Sequence, residues 1–492
     1  MFQLKLSRAL VATVLAAGTS YVHAASLQEA ANVLGVASTK SIEFSATGHW
    51  FQFGQAPAPK LAWPQFDVSS YNAGINFDTA SARVQIVRKQ TIEAGRNRPA
   101  PVEQRPDQYV SGQYAWNLAP APNAPTGAAP VAQAQLTAVE ERQAEIWSTP
   151  QGFVKAALAN NAKSTPVKGG IEVAFTVGGK YRYVGTLNAK NQVERVRTWI
   201  DTPVLGDTLV DTRYSDYKDF GGVQFPARIV REQGGHPVLA LGVSAVKVNP
   251  AVKLSVPDDV KTAHSQIGIV TVNKLADGVY YLTGASHHSV AIEQRDHIVL
   301  VEGPQSEERS LAVIAKVKEI IPNKPIKYLV NTHAHFDHSG GLRTFVDEGA
   351  TIVTHKDNQA FYKAAWAAPH TINPDRLAVS KKAAKFETFT GKHVLSDGAR
   401  KIEIYPIAGN SHNDAFALVY LPAEKVLIEA DAYTPTAANA PLPTSVNPYS
   451  TNLYTNIEKY KLEVAQIAAL HGPRVATLND LRAAIGQKSA SN

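Results

Sequence analysis

Short runs in which apolar and polar residues alternate dominate the first half of the chain, from residue 41 to about 252. The clearest are SIEFSATGHWFQFG, ARVQIVRKQ, GIEVAFTVGGKYRYVGTLN, VERVRTWID, VQFPARIVRE and LALGVSAVKV. A period of two is typical of strands with one buried face. Turn signals such as Gly178-Gly179 and Lys190-Asn191 separate the runs. The pattern predicts an antiparallel sheet built mostly from successive hairpins.

A proline- and alanine-rich stretch, residues 117–135, interrupts this pattern. Its sequence, NLAPAPNAPTGAAPVAQAQ, is typical of an extended surface loop, and it leads into a predicted helix at residues 136–147. Pro250 and Pro257 then mark a linker, after which the pattern changes. We therefore place a domain boundary near residue 265.

Strands alternate with helices after this boundary. GIVTVNKLADGVYYLTG and SVAIEQRDHIVLVEG are predicted strand pairs, EERSLAVIAKVKEII is a predicted helix, and KYLVNT is a predicted buried strand. This order is typical of a layered α/β sandwich. The fold class predicted for the whole chain is α/β (α+β), with a β-rich N-terminal domain that could form a curved half-barrel.

The first 24 residues have the features of a cleavable signal peptide. Lys5 and Arg8 precede an apolar segment, residues 9–17, and Val22-His23-Ala24 forms a small-residue cleavage pattern. We expect cleavage after about Ala24 and a periplasmic or secreted protein. No later apolar run is long enough to span a bilayer.

The length of 492 residues exceeds one ordinary hydrophobic core, so at least two domains are expected. We divide the chain into a signal peptide (1–24), a β-rich N-terminal domain of unknown role (25–265) and a C-terminal domain (266–492).

Composition narrows the possible functions. The chain has no cysteine, so disulfides and thiolate metal ligands are absent. From residue 266 onward, 23 Lys and Arg face 22 Asp and Glu. Nucleic-acid binding is not expected, because it calls for clustered basic residues.

The segment NTHAHFDHSGGLRTF, residues 331–345, is dense in metal-binding side chains. His333 and His335 are two apart on an extended backbone, so both imidazoles point to the same side. If the chain bends after Phe336, Asp337 and His338 can face a second ion. Gly340 and Gly341 would then allow a tight turn into a helix.

The string THAHFDHSGG resembles the T-H-x-H-x-D-H-x-G-G signature of the metallo-β-lactamase-fold hydrolases. The resemblance covers roughly residues 266–492 and implies an αββα sandwich. The family also uses a later histidine, an acidic bridge and a final histidine at strand ends. The resemblance implies that His333, His335 and His412 bind one metal, that Asp337, His338 and His471 bind the other, and that Asp431 bridges them.

Imidazole and carboxylate ligands suit zinc, and a site with open coordination positions activates water. We therefore expect two Zn²⁺ ions, although iron and manganese are compatible with the same ligands. The resemblance implies a dinuclear hydrolase that cleaves an ester, thioester, lactone or amide bond of a small molecule through a metal-bound hydroxide, and the signal peptide implies that this hydrolase is exported. Asp337 would orient the hydroxide and act as the catalytic residue.

Three other functions stay open at this point. One is β-lactam hydrolysis, although the cysteine-ligand subclass is ruled out and the histidine-ligand subclass usually lacks an acid at the position of Asp431. Another is redox chemistry in the same fold, either an iron-dependent oxygenase that acts on persulfides or a di-iron site that reduces small gases. In the third, the N-terminal domain captures an apolar ligand or an envelope partner.

Weaker candidates surround this set. His287, beside His288, falls in a hairpin that tends to lie next to the metal mouth, and Tyr433 could donate a hydrogen bond to a substrate. Residues 364–386 could form a lid or a solvated helical insertion. We expect His355, at a strand end, to be structural.

Overall fold

The structure is a computed structural model that describes residues 25–487, except residues 122, 123, 125, 126, 285 and 399. The predicted signal peptide, residues 1–24, lies outside the described residues. Among the residues that are described, no helix is both long and apolar enough to cross a membrane.

One 14-stranded antiparallel sheet forms the N-terminal region, in the order β7-β6-β5-β3-β2-β1-β14-β13-β12-β11-β10-β9-β8, with β4 beside β3. Its strands are β1 (Ser41–Phe51), β2 (Gln65–Asn76), β3 (Ser81–Gln90), β4 (Glu103–Gln104), β5 (Asp107–Ser111), β6 (Tyr114–Ala119), β7 (Val131–Ala134), β8 (Lys163–Val167), β9 (Gly170–Val177), β10 (Tyr181–Asn188), β11 (Val193–Thr202), β12 (Gly206–Asp219), β13 (Gln224–Gln233) and β14 (His236–Val248).

The alternating runs of the sequence lie in this sheet, as predicted. In β9, Ile171, Val173 and Phe175 are buried while the residues between them are more exposed. Each of the six runs contains at least one strand, and most neighbouring strands follow one another in the chain. The predicted β-rich N-terminal region is confirmed.

Three helices cover one face of the sheet: α1 (Leu27–Val33), α2 (Val139–Ser148) and α3 (Pro150–Ala159). Helix α2 contacts β3, β5 and β6 on one side and β11 on the other, so the sheet curves around it. Edge strands β7 and β8 are not paired with each other in the part of the chain that the structure describes. The sheet is therefore curved and open, as a half-barrel would be.

Two further sheets form the C-terminal region. The seven-stranded sheet contains β15 (Thr271–Ala276), β16 (Val279–Thr283), β17 (Ser289–Glu293), β18 (Ile298–Val301), β19 (Ile326–Val330), β20 (Thr351–His355) and β21 (Lys385–Phe389). The five-stranded sheet contains β22 (His393–Ser396), β23 (Lys401–Pro406), β24 (Ala417–Leu421), β25 (Val426–Glu429) and β26 (Gln466–Ala469).

Helices flank these two sheets on their outer faces. They are α5 (Glu307–Ile320), α6 (Phe336–Ser339), α7 (Leu342–Glu348), α8 (Lys356–Trp366), α9 (Arg376–Ser380), α10 (Pro448–Lys459) and α11 (Leu478–Ala484), and they follow the short α4 (Asp258–Lys261) of the connecting segment.

The residues of β18 show how the layers are built. Val299 and Val301 belong to a core that also contains apolar residues of the five-stranded sheet, such as Val419 and Ile428. Leu300 faces the opposite way, into a core shared with α5 and α7. Both faces of the strand are buried, which explains the continuous apolar run. The predicted αββα sandwich is confirmed.

Two parts of the sequence are more ordered than predicted. The proline- and alanine-rich stretch begins in β6 and contains β7 near its end, and these strands pair with each other, so the two ends of the predicted loop lie in the sheet. The predicted linker contains α4, whose Val260 is buried against Tyr109 and Trp116. Both segments gain order from apolar contacts with distant residues, which local composition does not reveal. The boundaries at residues 24 and 265 stay a prediction.

Residues 364–386 contact the N-terminal sheet. The Asp207 amide donates to the Pro369 carbonyl at 2.8 Å, and the Thr371 amide donates to the Asp207 carboxylate at 2.8 Å. The segment joins α8 to α9 and β21 and holds the two regions of the chain together.

Candidate metal centre

The metal loop, residues 331–338, lies at the carboxyl end of β19, next to the ends of β25 and β26. Buried Asn331 holds it in place: its Nδ2 donates to Glu302 Oε1 at 3.0 Å and to the His333 carbonyl at 2.8 Å. The Tyr362 hydroxyl donates to Asn331 Oδ1 at 2.6 Å. These bonds fix an irregular backbone whose polar groups would otherwise be buried without partners.

Gly340 and Gly341 serve a different purpose from the one predicted. Their φ angles, −62° and −99°, are ordinary for any residue. A Cβ at Gly340 would lie 2.0 Å from the Gln305 carbonyl oxygen, and one at Gly341 would lie 2.0 Å from Ser310 Oγ. The glycines are required by close packing after β18 and against α5, and not by an unusual backbone conformation.

The first group of predicted ligands comprises His333, His335, His412 and Asp431, whose ligand atoms all lie within 4.8 Å of one another. His333 Nε2 lies 3.3 Å from His412 Nε2. Asp431 Oδ2 lies 2.8 Å from His412 Nε2 and 3.2 Å from His333 Nε2. These atoms converge on one point, as ligands of a single ion do.

The second group comprises Asp337, His338 and His471, together with His287. His471 Nε2 lies 3.0 Å from His338 Nε2. His287 Nε2 lies 3.2 Å from Asp337 Oδ2, and the rings of His287 and His471 are 4.0 Å apart. The structure thus brings His287 to the edge of this group, beside the predicted catalytic carboxylate.

Asp431 lies between the two groups. Its Oδ1 is 2.8 Å from His471 Nε2 and its Oδ2 is 3.1 Å from His338 Nε2, while Oδ2 also faces the first group. One carboxylate therefore contacts imidazoles of both groups. This is the placement that the resemblance implied for a bridging ligand.

The second nitrogen of each of three imidazoles is held by a nearby oxygen. His338 Nδ1 lies 3.1 Å from Glu302 Oε2, His333 Nδ1 lies 3.0 Å from Thr332 Oγ1, and His471 Nδ1 lies 3.1 Å from the Ser286 carbonyl. Such partners orient metal-binding histidines and leave the other nitrogen free to bind.

His335 provides a test of whether the site suits a metal. Its Nε2 lies 3.0 Å from the Ala56 carbonyl, whereas its Nδ1 is buried and has no hydrogen-bond partner among the described residues. A buried polar atom without a partner is costly unless a bound group satisfies it. His335 belongs to the first ligand group and its Nε2 is taken by the Ala56 carbonyl, so Nδ1 is the nitrogen left to bind a metal ion, and nitrogen and oxygen donors suit Zn²⁺ or iron.

The charges of the ligand side chains also favour a cation. Burial lowers the pKa of His333 to about 3 and holds the pKa of His335 well below its usual value, so both imidazoles are neutral. Burial opposes ionisation of Asp431, but its electrostatic interactions with neighbouring imidazoles, His338 first, outweigh burial and hold the pKa of Asp431 well below its usual range.

His338 shows the opposite shift. Burial alone would lower the pKa of His338, but the carboxylates of Asp431 and Asp337 outweigh burial and raise it well above its usual value. A protonated imidazole therefore neutralises these acids when no metal is bound. A divalent cation would take over that role and release the proton.

An open cleft of about 510 Å³ gives access to the site. The cleft is lined by Ser286, Asp431, Thr434, His471, Gly472 and Pro473. Of the predicted ligands, Asp431 and His471 line the cleft, so a small molecule can approach the second ligand group directly.

Other sequence candidates lie away from this cleft or in structural roles. Tyr433 is buried in the hydrophobic core of the C-terminal region, and substrate contact for it stays a prediction. His288 Nε2 lies 2.8 Å from the Gly472 carbonyl and helps to hold the final ligand loop. His355 is the N-cap of α8, where its Nδ1 accepts from the Asp357 amide at 3.4 Å.

Two contacts to the predicted ligands have no counterpart in the sequence analysis. Glu302, at the end of β18, supports the metal loop. Gln55, from the N-terminal region, donates from Nε2 to Asp337 Oδ1 at 2.8 Å, across a separation of 282 residues. The resemblance did not extend to residue 55, and no local motif marks it.

Residues 282–432 match the family model described as the metallo-beta-lactamase superfamily. The chain is 31% identical over 83 residues to a linear primary-alkylsulfatase of Pseudomonas sp, which is 17% of this chain and 12% of that protein. It is 24% identical over 167 residues to the 2,4-dinitroanisole O-demethylase subunit alpha of Nocardioides sp. (strain JS1661), which is 33% of this chain and 46% of that protein. Each match spans less than half of the relative.

Two solved structures resemble the C-terminal region. A metallo-beta-lactamase from Pontibacter korlensis has 18% identity and a TM-score of 0.34, with 45% of this chain and all of that chain (100%) covered. The flavodiiron protein from Giardia intestinalis has 18% identity and a TM-score of 0.35, with 44% of this chain and 58% of that chain covered.

Proposed function

We propose that this chain, whose residues 282–432 carry a metallo-beta-lactamase superfamily domain, is an exported metal-dependent hydrolase of a small molecule. One observation carries the proposal: two neighbouring groups of imidazole and carboxylate ligands meet at Asp431 beneath an open cleft. Such a paired site exceeds the four ligands of a structural zinc and suits the activation of water.

The proposed cofactor is a pair of Zn²⁺ ions. His333, His335 and His412 would hold one ion, Asp337, His338 and His471 the other, and Asp431 would contact both. When bound, the ions lower the pKa of a bound water and polarise the oxygen of the bond under attack.

Asp337 is the proposed catalytic residue. Partial burial opposes its ionisation, but neighbouring His338 and the hydrogen bond from His287 outweigh this and hold the pKa of Asp337 well below its usual range. An ionised carboxylate here can accept a hydrogen bond from the attacking water, orient it, and pass its proton towards the leaving group.

His287 is the proposed substrate-contacting residue at the rim. Burial lowers the pKa of His287 to about 4, so the imidazole is neutral near pH 7. Its Nδ1 lies 2.8 Å from Ser286 Oγ and its Nε2 faces Asp337. The ring can therefore hold Asp337 or a substrate oxygen without adding positive charge to the cleft.

The proposed substrates are esters, thioesters, lactones and amides. The match to an alkylsulfatase adds sulfate esters to this group, and β-lactams remain the alternative substrate. The N-terminal domain as a binder of an apolar ligand or envelope partner stays a prediction. A cavity of about 210 Å³ on its sheet is lined by Trp50 and Tyr71 but also by Arg231 and Glu145, so its surface is mixed.

The test is metal analysis of the purified full chain combined with chromogenic substrates of each class. We expect about two zinc ions per chain and hydrolysis of at least one substrate. His335→Ala and Asp337→Ala should abolish turnover and lower the metal content, whereas the matched control His355→Ala should do neither.

Two results would reject the proposal. Full activity in His335→Ala or Asp337→Ala would show that the substituted residue does not belong to the active site. Stoichiometric iron with oxygen uptake, and no hydrolysis, would favour the oxygenase alternative. Export has its own test: the protein from the periplasm or medium of a Gram-negative host should begin near Ala25.

A further inference from the structure

A loop of the N-terminal region, residues 52–57, reaches into the metal centre. The loop follows β1 directly and makes two backbone hydrogen bonds to the C-terminal region. The Phe336 amide donates to the Gly54 carbonyl at 3.1 Å, and the Asp414 amide donates to the Pro57 carbonyl at 2.7 Å. Phe336 lies within the metal loop and Asp414 lies two residues beyond His412. The N-terminal loop is therefore bonded to both segments that carry the three histidines of the first ligand group.

Gln55 contacts the proposed catalytic residue. Its Nε2 donates to Asp337 Oδ1 at 2.8 Å, while Asp337 Oδ2 is turned towards His287 Nε2, at 3.2 Å, and His338 Nε2, at 3.8 Å. A carboxylate has two oxygens, and each has a separate role here. Gln55 holds one, which fixes the plane of the carboxylate and directs the other to the second ligand group.

The Ala56 carbonyl determines which nitrogen of His335 is free. A carbonyl can only accept, so the Nε2 atom 3.0 Å away must carry the proton, and Nδ1 presents its lone pair. That Nδ1 is the buried atom without a partner among the described residues. Asn413 Nδ2 also donates to the Ala56 carbonyl, at 3.3 Å, and holds it in position.

The shape of the loop matches this role. Gly54 has a φ of +75°, and a Cβ there would lie 2.5 Å from Cγ of Phe336. The Phe53 ring packs edge-on against Phe336 at 5.2 Å and against Trp63 at 4.6 Å. These aromatic contacts hold the loop against Phe336, which lies between the predicted ligands His335 and Asp337.

We propose that Gln55 and the Ala56 carbonyl are positioning groups of the metal centre, and that the N-terminal domain sets the affinity of that centre for its ions. Gln55 acts through Asp337, and Ala56 acts through His335. This inference rests on the proposed function only in requiring that metal binds at these ligands. It does not depend on which bond is cleaved.

The experiment compares three full-length variants with the unmodified chain. Gln55→Ala removes the side chain, and Gln55→Glu keeps its size but replaces the donating amide. Gln52→Ala is the matched control, because Gln52 belongs to the same loop. Its backbone amide donates to the Pro64 carbonyl within the N-terminal region, and the substitution keeps that bond. Zn²⁺ affinity is measured by competition with a chromophoric chelator, and Co²⁺-loaded protein provides a ligand-field spectrum.

We expect Gln55→Ala and Gln55→Glu to lose about 10–100-fold in affinity for one ion, the range found when a partner of a metal ligand is removed. Their Co²⁺ spectra should change, because the Asp337 carboxylate is no longer held. Gln52→Ala should match the unmodified chain in both measurements. Thermal unfolding in chelator identifies any variant that does not fold. If one Gln55 variant is unfolded, the Zn²⁺ affinity and Co²⁺ spectrum of the other Gln55 variant test the inference.

The outcomes separate this inference from the proposed function. Tight binding of ions by both Gln55 variants, with unchanged spectra, would overturn the inference and leave the hydrolase proposal intact. Gln55-dependent binding without turnover of any substrate would support the inference and reject the hydrolase. Failure of the unmodified chain to bind ions at all would reject both.

Discussion

Gly54→Ala tests how closely the N-terminal loop fits the metal loop. Gly54 has a φ of +75°, where an alanine costs about 1–2 kcal/mol. The added Cβ would also lie 2.5 Å from the Phe336 ring, which must move by about 1 Å to reach ordinary contact. Overpacking of this kind costs about 1–3 kcal/mol. The expected total loss of stability is about 2–5 kcal/mol.

The control is Gly169→Ala. Gly169, between β8 and β9, has a φ of +85°, and a Cβ built there meets nothing within 4 Å. It should therefore carry the backbone cost alone, about 1–2 kcal/mol. The difference between the two variants isolates the contact with Phe336.

The second effect of Gly54→Ala is on metal binding. Phe336 stands between His335 and Asp337, so a shifted ring displaces neighbouring ligands. A 10–100-fold loss of affinity for an ion lowers the stabilisation by excess metal by about 1.4–2.8 kcal/mol, because each tenfold change is about 1.4 kcal/mol.

Urea unfolding with chelator and again with excess Zn²⁺ measures both effects. Gly54→Ala should lose more stability than Gly169→Ala in chelator, and the gap should widen when metal is added. Equal losses in the two variants, with the same stabilisation by Zn²⁺, would refute the close fit inferred for this loop.

Three further outcomes are expected. Arg231→Ala should lower the free energy of unfolding, measured in urea, by about 3 kcal/mol, because it leaves Glu145 without the largely buried arginine that pairs with it. A decrease of less than about 1 kcal/mol would contradict this. Gly341→Ala should sharply reduce the yield of folded protein. Adding Ser310→Ala should restore part of that yield, because the closest clash is with Ser310 Oγ. Equal yields of Gly341→Ala and the unmodified chain would show that the backbone relaxes. His355→Ala should lower the free energy of unfolding by no more than about 1 kcal/mol, the value of one helix cap, with metal content unchanged.

The sequence predicted the parts of the fold that depend on local spacing. The period of two in β9 and the apolar run of β18 follow from which faces of a strand are buried. The placement of His333 and His335 on one side also follows from an extended backbone. These features need only a few neighbouring residues, so one sequence is enough to predict them.

The parts that were missed depend on contacts between distant residues. Gln55 meets Asp337 across 282 residues, and no period or motif marks such a pair. Glu302 supports the metal loop from the end of a different strand, at a positive φ of 71° that β propensity does not suggest. For Gly340 and Gly341, the sequence indicated that small residues were needed, but the reason was packing.

The open N-terminal sheet has two edges where another chain could add a strand and begin aggregation. The two edges are protected in different ways. Next to β7, α4 lies against the sheet edge, so the segment between the two regions also shields it. Strand β8 is exposed along its length, but it carries Lys163 and Pro166, a charge and a residue without an amide proton. Such residues interrupt the ladder that an incoming strand requires. A large curved sheet can thus stay open without becoming a template for fibres.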